Sequence, residues 1–339
     1  VSANGYLIGA TTRHQILIQR LAAGYAREVL PALRKMQREI RAALLGHDLT
    51  SFQTARLTAL SIEITAITQA AGVALEAQTI PNMQEFVAYE AQFTQKMLQG
   101  AVTVQLAGVN TVALAKSSPL RTMTLVSGKK TTVTTMAGMF DTFAAGVARE
   151  VETAVVAGIT QGLTTDQIAA QVYGMVGNRS KAQAKTVVVT ATNQAGSIAR
   201  NELYAANSDV LDSEEWVATL DSVTRIEHAV LDGQVFLIGQ GPQTPLGYNC
   251  RCLRVARVKQ EFAALRQGAT RASMTGPVSS QKTFAGFFAD QGADFQREFL
   301  GPERYDLYKS GEVSFKGFAD QSGRVYTLDE LKAREGLTL

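Results

Sequence analysis

The residues best equipped for chemistry crowd between positions 216 and 252: Trp216, then Asp221, Thr224, Arg225, His228 and Leu231-Asp232-Gly233, then Pro245, Gly247 and Asn249-Cys250-Arg251-Cys252. The segment gathers the chain's one tryptophan, one of its three histidines and both cysteines. Three chemistries are open to it. Carboxylate, imidazole and thiolate are the usual donors of a tetrahedral zinc site, so Asp221, His228, Cys250 and Cys252 form a candidate ligand set. If Cys250 and Cys252 lie on a strand, their spacing of two puts both on one face. Structural zinc more often uses Cys-x-x-Cys knuckles, which leaves a metal-free polar clasp as the competing account. In that clasp Arg225 pairs with Asp221 or Asp232, His228 satisfies backbone groups of the 245–249 turn, and the cysteines act as small core residues. The third option, Cys250 as nucleophile with His228 as base and Asp221 as orienter, lacks oxyanion-hole glycines beside Cys250. No catalytic residue is assigned.

These residues need elements to hold them. Alternation of Trp216, Ala218 and Leu220 predicts a strand, and 235–238 and 250–258 predict two more, giving a small antiparallel sheet. Ser180 is expected to cap a long helix carrying Ala184, Val188, Ala191, Ala195 and Ile198 inward, against which that sheet packs. Gly162 ends one helix, and Thr164 with Gln167 forms a capping box that starts another. Upstream, apolar residues recur three and four apart. One stripe runs Leu17, Leu21, Tyr25, Val29, Leu33, Met36, Ile40, Leu44, with a kink expected at Pro31 and a stop at Gly46. A second runs Leu57 to Ala74, and a third, from Phe86 to Met97, follows Pro81-Asn82. Between 116 and 135 the period changes to alternation with threonines around Gly128-Lys129-Lys130, which predicts a hairpin or extended excursion. Gly128-Lys129-Lys130-Thr131 is no phosphate loop, since position 123 is Met and not the required Gly.

The fold expected is mainly α: an elongated helical bundle, a small α+β domain with an antiparallel sheet, and a C-terminal helical tail. Its segments are 1–115 (long-helix bundle), 116–135 (excursion), 136–212 (helical connector), 213–258 (signature domain) and 259–339 (linker and docked tail). Ser/Thr/Gly-rich 266–281 reads as the linker. Phe284, Phe287, Phe288, Phe295 and Phe299 supply a tail core, and Thr327 with Glu330 a capping box.

In order and spacing, Asp221, Thr224-Arg225, His228, Leu231-Asp232-Gly233 and Asn249-Cys250-Arg251-Cys252 resemble the signature of the phage Mu F-like minor head proteins. Ile226 stands where that family often has Pro, Tyr248 where it often has His or Pro, and Asn201 replaces Thr in the segment before the signature. The resemblance covers roughly 180–258. It implies a structural minor head protein of a tailed phage virion, near the portal vertex, contributing to head assembly and to DNA packaging or ejection. Its implied partners are the portal protein and the major capsid or scaffold protein. Some relatives carry a toxin-like domain after the signature, so a metal-dependent enzyme or effector delivered with the DNA is one alternative, although the roughly eighty residues after Val258 are few for a catalytic domain, and a non-specific DNA-binding module is the other.

The charge balance, 33 basic against 30 acidic residues, identifies no partner, but its distribution does. Seven basic residues (Arg251, Arg254, Arg257, Lys259, Arg266, Arg271, Lys282) face only Glu261 between 251 and 282. Seven more (Arg13, Arg20, Arg27, Arg34, Lys35, Arg38, Arg41) face Glu28 and Glu39 between 13 and 41. Either patch suits non-specific DNA contact, with Arg251, Arg254, Arg257, Lys259, Arg266 and Arg271 as DNA-facing candidates. No sequence-reading motif accompanies them. His14 and His47 read as surface residues. The apolar stretch 101–115 is too short to span a bilayer, and no membrane contact is expected. Without a signal-peptide pattern or a disulfide framework, assembly in the host cytoplasm is expected.

Overall fold

A computed structural model describes residues 2–128, 130–264 and 269–336. The chain is 62% helical, with a long helical N-terminal region, small antiparallel sheets in the middle and helices at the end, as the periodicity predicts.

Helix α1 (Ala3–Glu28) meets α2 (Leu30–Leu45) at Val29, and α2 stops at Gly46. Pro31 falls in the first turn of α2, where a missing N–H costs no helical bond. Helix α3 (Thr54–Gln99) runs through Pro81 without a break and merges the two stripes assigned to separate helices. Pro81 lies on the exposed side, where water can satisfy the carbonyl it leaves free. Alone among the described residues, α3 is long and apolar enough to cross a bilayer. One side packs against two later helices through Leu60, Ile64, Leu75 and Phe86, while Ala59, Ile62, Ala66, Val73 and Ala77 stay exposed.

After α4 (Thr111–Ser117), β1 (Met123–Ser127) and β2 (Lys130–Thr134) form the expected hairpin, in register Ser127↔Lys130 with Gly128 at φ 58°. Lys129 lies outside the described residues. Helix α5 (Met136–Thr160) turns at Gly162 into α6 (Thr165–Ala206), whose capping box uses Thr164 and Gln167 as expected. The start expected at Ser180 is absent, because α6 continues through Gly174, Gly177 and Ser180. Gly177 marks a close approach rather than an end: a Cβ there would lie 2.2 Å from Nε2 of Gln37, which donates to the Tyr173 carbonyl at 2.7 Å.

Strand β3 (Leu211–Val217) leads to the short α7 (Ile226–Ala229), β4 (Val235–Leu237) and β5 (Leu253–Val258), and the sheet order is β4-β3-β5, antiparallel throughout. The strand expected over 250–258 begins only at Leu253. Cys250 and Cys252 therefore sit in the turn before it, where Asn249 takes φ 57° and Cys250 N–H donates to the Gly247 carbonyl.

Instead of a linker, the described part of 266–281 forms a hairpin of β6 (Thr270–Ser273) and β7 (Gly276–Ser279) against α1. Its polar composition conceals an anchor, Arg271, whose side chain is buried. The tail follows with α8 (Phe284–Ala289), α9 (Ala293–Leu300), α10 (Pro302–Lys309) and α11 (Leu328–Glu335), the last with the expected Thr327–Glu330 capping box.

Two cores result. The larger joins α1–α6 with Leu211, Val217, Leu253 and Val255. The smaller gathers Trp216, Leu220, Leu231, Cys250 and Cys252 with the tail residues Phe284, Phe287, Phe288 and Phe315. Trp216 and Val217 are neighbours in sequence but enter different cores, because successive strand residues face opposite sides.

Candidate functional site

Each signature residue is placed by a local feature of the chain. Leu231-Asp232-Gly233 follows α7, and Gly233 takes φ 79° so that its N–H can donate to the Trp216 carbonyl at 2.9 Å. That turn aims Asp232 into the smaller core, where its carboxylate accepts from the backbone N–H of Ala218 and of Phe284, both at 2.6 Å. Arg271 completes the set with 3.0 Å bonds to both Asp232 oxygens and further bonds to the Ala218 and Lys282 carbonyls. One buried aspartate thereby joins β3, the β6–β7 hairpin and the start of α8.

Asp221 forms a second, more exposed knot. It accepts from the N–H groups of Val223 (3.2 Å) and Thr224 (2.9 Å) and takes a two-pronged pair from Arg251 at 2.6 and 3.0 Å. Thr224 Oγ1 donates to the Thr219 carbonyl at 2.7 Å. Arg225, expected on Asp221 or Asp232, pairs with neither. Its Nε lies 3.0 Å from Glu227, and its terminal nitrogens reach His228 Nε2 at 2.7 Å and the Tyr248 carbonyl at 3.4 Å. The reason is competition: both aspartates are already held, Asp221 by Arg251 and Asp232 by Arg271.

His228 has a different role from the one expected of it. Its ring does not satisfy the 245–249 backbone; Nδ1 faces Cys252 Sγ at 3.3 Å and Cys250 Sγ at 3.4 Å. Its backbone carbonyl accepts from Trp216 Nε1 at 3.1 Å. The cysteines reach it because Asn249, left-handed and tied through its N–H to Thr190 Oγ1 and through Nδ2 to Thr186 Oγ1, turns the chain over α6. Gly247 lets the loop close, since a Cβ there would stand 2.5 Å from the Arg225 guanidinium. His228, Cys250 and Cys252 are buried, their donor atoms lie within 4.8 Å of one another, and they border a cavity of about 160 Å3. Burial opposes ionisation of Cys250, but a hydrogen bond from Cys252 and the nearby His228 outweigh it and hold its thiol well below the usual range. Burial and the neighbouring Cys250 push Cys252 well above it. Of the four expected ligands, the structure brings three together, and Asp221 is held apart by Arg251.

The DNA-facing candidates fare worse. Arg254 is fully buried, 2.5 Å from Glu214, and bonds the Gln240 and Pro242 carbonyls. Arg257 pairs with Glu215 at 2.9 Å, and Lys259 donates to the carbonyls of Ser208 and Asp209. With Arg251 and Arg271 also spent on aspartates, little of that patch's charge is free, and Arg266 lies outside the described residues. Sequence reasoning missed Glu214 and Glu215, although in register Trp216↔Arg254 each is the diagonal neighbour of its arginine. It also misplaced His14. That ring is buried, stacked on Phe93 at 3.6 Å, and its Nε2 lies 2.7 Å from Glu90, which Arg200 pairs at 2.6 Å on the other oxygen. His47 lies 3.1 Å from Glu63.

Fold and site together define a mainly helical protein with a small sheet domain locked by buried ion pairs and a His/Cys cluster. Residues 149–255, from the second half of α5 through the signature into β5, match the family of the Phage Mu protein F like protein. Over that region, about a third of the chain, it is similar to the phage Mu F-like proteins. No curated protein and no solved structure matches it.

Proposed function

We propose that the chain is a structural minor head protein built into the phage virion beside the portal vertex, and that it is not an enzyme. The Mu F-like segment supports a phage head-related, virion-associated protein, which is the observation that carries the reading. The use of the signature residues agrees with it. Asp221, Asp232, Arg251 and Arg271 are spent on joining elements of the chain to one another.

Two surfaces among the described residues suit partners. The Ala59-Ile62-Ala66-Val73-Ala77 face of α3 is apolar and exposed, with the large side chains Ile62 and Val73 set between alanines, which suits a helix of the portal ring or of a scaffold or capsid protein. The N-terminal basic residues Arg13, Arg20, Arg27, Arg34, Lys35, Arg38 and Arg41 are all exposed, and Arg20, Arg27, Arg34 and Arg38 make no ion pair among the described residues. That stripe suits non-specific contact with packaged DNA.

The test is complementation of a phage deleted for this gene. Wild-type chain is expected in purified heads in fixed ratio to the portal protein, and Ala66→Arg is expected to leave the melting temperature unchanged while incorporation falls at least about tenfold, the consequence of burying an unpaired charge. Heads of full number, DNA content and infectivity without the protein would overturn the proposal.

A further inference from the structure

We propose that His228 Nδ1, Cys250 Sγ and Cys252 Sγ bind one zinc ion, with the fourth position open to the cavity beside them. The donors suit it: two thiolates and an imidazole are a recurrent zinc set, and a site with three protein ligands keeps a place for water or another small ligand. The geometry suits it as well. With zinc–nitrogen bonds of about 2.0–2.1 Å and zinc–sulfur bonds of about 2.3 Å, a tetrahedral site puts nitrogen and sulfur about 3.6 Å apart. The two observed separations are 3.3 and 3.4 Å, so an ion enters with shifts of a few tenths of an ångström. All three residues are buried and held by backbone that the ion need not organise: His228 by α7 and the Trp216 bond, the cysteines by the Asn249 turn fixed to α6. Among the described residues no fourth His, Cys, Asp or Glu completes the group, and the adjoining cavity of about 160 Å3 has room for water.

The ion makes one demand. Zinc on Nδ1 leaves the ring proton on Nε2, a donor, whereas Arg225 now donates to that nitrogen at 2.7 Å. The two donors repel, so zinc entry turns Arg225 away, toward Glu227 at 3.0 Å and the Tyr248 carbonyl that it already reaches. Arg225 is therefore a competitor of the metal. In a metal-free clasp it would be a necessary member, and the two accounts predict opposite effects of removing it.

The experiment uses the full-length chain purified without a histidine tag. Elemental analysis is expected to give about one zinc per chain, falling at least about tenfold in Cys250→Ser, Cys252→Ser. Because that variant could lose its fold as well, the wild-type protein is stripped of metal and titrated with cobalt(II). A thiolate-to-cobalt charge-transfer band with tetrahedral d–d absorption, saturating near one equivalent and reversed by zinc, is expected. Arg225→Ala is expected to hold zinc as tightly or more so, and Asp221→Asn to keep full stoichiometry. No retained zinc together with no thiolate band on cobalt titration would overturn the proposal, as would loss of zinc from Asp221→Asn or Arg225→Ala with helical content intact. None of these readouts depends on incorporation into heads.

Discussion

Two stretches of this chain, 251–282 and 13–41, carry seven basic residues each and put them to opposite use. In the first, four guanidinium groups turn inward: Arg254 meets Glu214, Arg257 meets Glu215, Arg271 meets Asp232 and Arg251 meets Asp221. Between 13 and 41 they turn outward, and five of them, Arg13, Arg20, Arg27, Arg34 and Arg41, recur every seven residues. Seven residues are two helical turns, about 10.5 Å, so the arginines line one side of α1 and continue onto α2 across the junction at Val29. Local charge density does not distinguish the two stretches. What differs is the supply of carboxylates from elements packed against each: β3 and its following turns bring Glu214, Glu215, Asp221 and Asp232 to the first, while the second is offered few. Charge in the signature is a fastening, and charge on the N-terminal helices is a surface.

The comparison breaks most visibly where the fastening is deepest. Asp232→Ala removes the acceptor of two backbone N–H groups and strands the buried Arg271 guanidinium, so we expect a loss of about 3–5 kcal/mol. Denaturant unfolding monitored by Trp216 fluorescence reads it directly, since Trp216 shares the smaller core. A change under about 1 kcal/mol would mean that the pair is not a fastening.

A subtler test concerns Arg254. Alone, Arg254→Met leaves Glu214 charged in a buried setting, where desolvation already pushes its carboxyl upward against the pull of Arg254. We expect a cost of about 3 kcal/mol, and recovery of at least half of it in the double variant Arg254→Met, Glu214→Leu, because a buried ion pair can often be exchanged for apolar packing but not halved. Equal destabilisation of single and double variants would show that the bonds of Arg254 to the Gln240 and Pro242 carbonyls matter more than its charge.

How far these assignments could be read in advance depends on the range of the interaction concerned. The helices were legible because apolar spacing of three and four is local and their faces bury accordingly; Leu33, Met36, Ile40 and Leu44 are all buried as their stripe requires. Their ends are legible where caps mark them, at Thr164 and Thr327, and misread at Ser180, where the helix runs on past the close approach at Gly177, and at Pro81, which faces water. In the signature, the residues that matter were visible from type and spacing, but their partners were not. Arg271 reaches Asp232 from 39 residues away, and His14 reaches Glu90 from 76. A basic count that starts at 251 leaves out the acidic residues of 214–232, of which strand register brings Glu214 and Glu215 opposite their arginines and turns bring Asp221 and Asp232. Asp221 looked like a metal ligand by type, and Arg251, itself part of the signature, had already claimed it.

The smallest effect on stability should accompany the clearest effect on function. Changing Arg20, Arg27, Arg34 and Arg38 together to Gln touches exposed groups that make no ion pair among the described residues, so each should alter stability by no more than about 0.5 kcal/mol. If the stripe contacts duplex DNA, each lost phosphate contact lowers the slope of log affinity against log salt by about 0.9, or roughly 3–4 for the set. Arg257→Gln, in the inward-turned stretch, should leave that slope as it is, because Glu215 already holds its charge. Binding to a random-sequence duplex across a salt series distinguishes the stretches. A slope unaffected by the N-terminal changes but reduced by Arg257→Gln would reverse the assignment, and equal slopes in all three proteins would remove DNA from both surfaces.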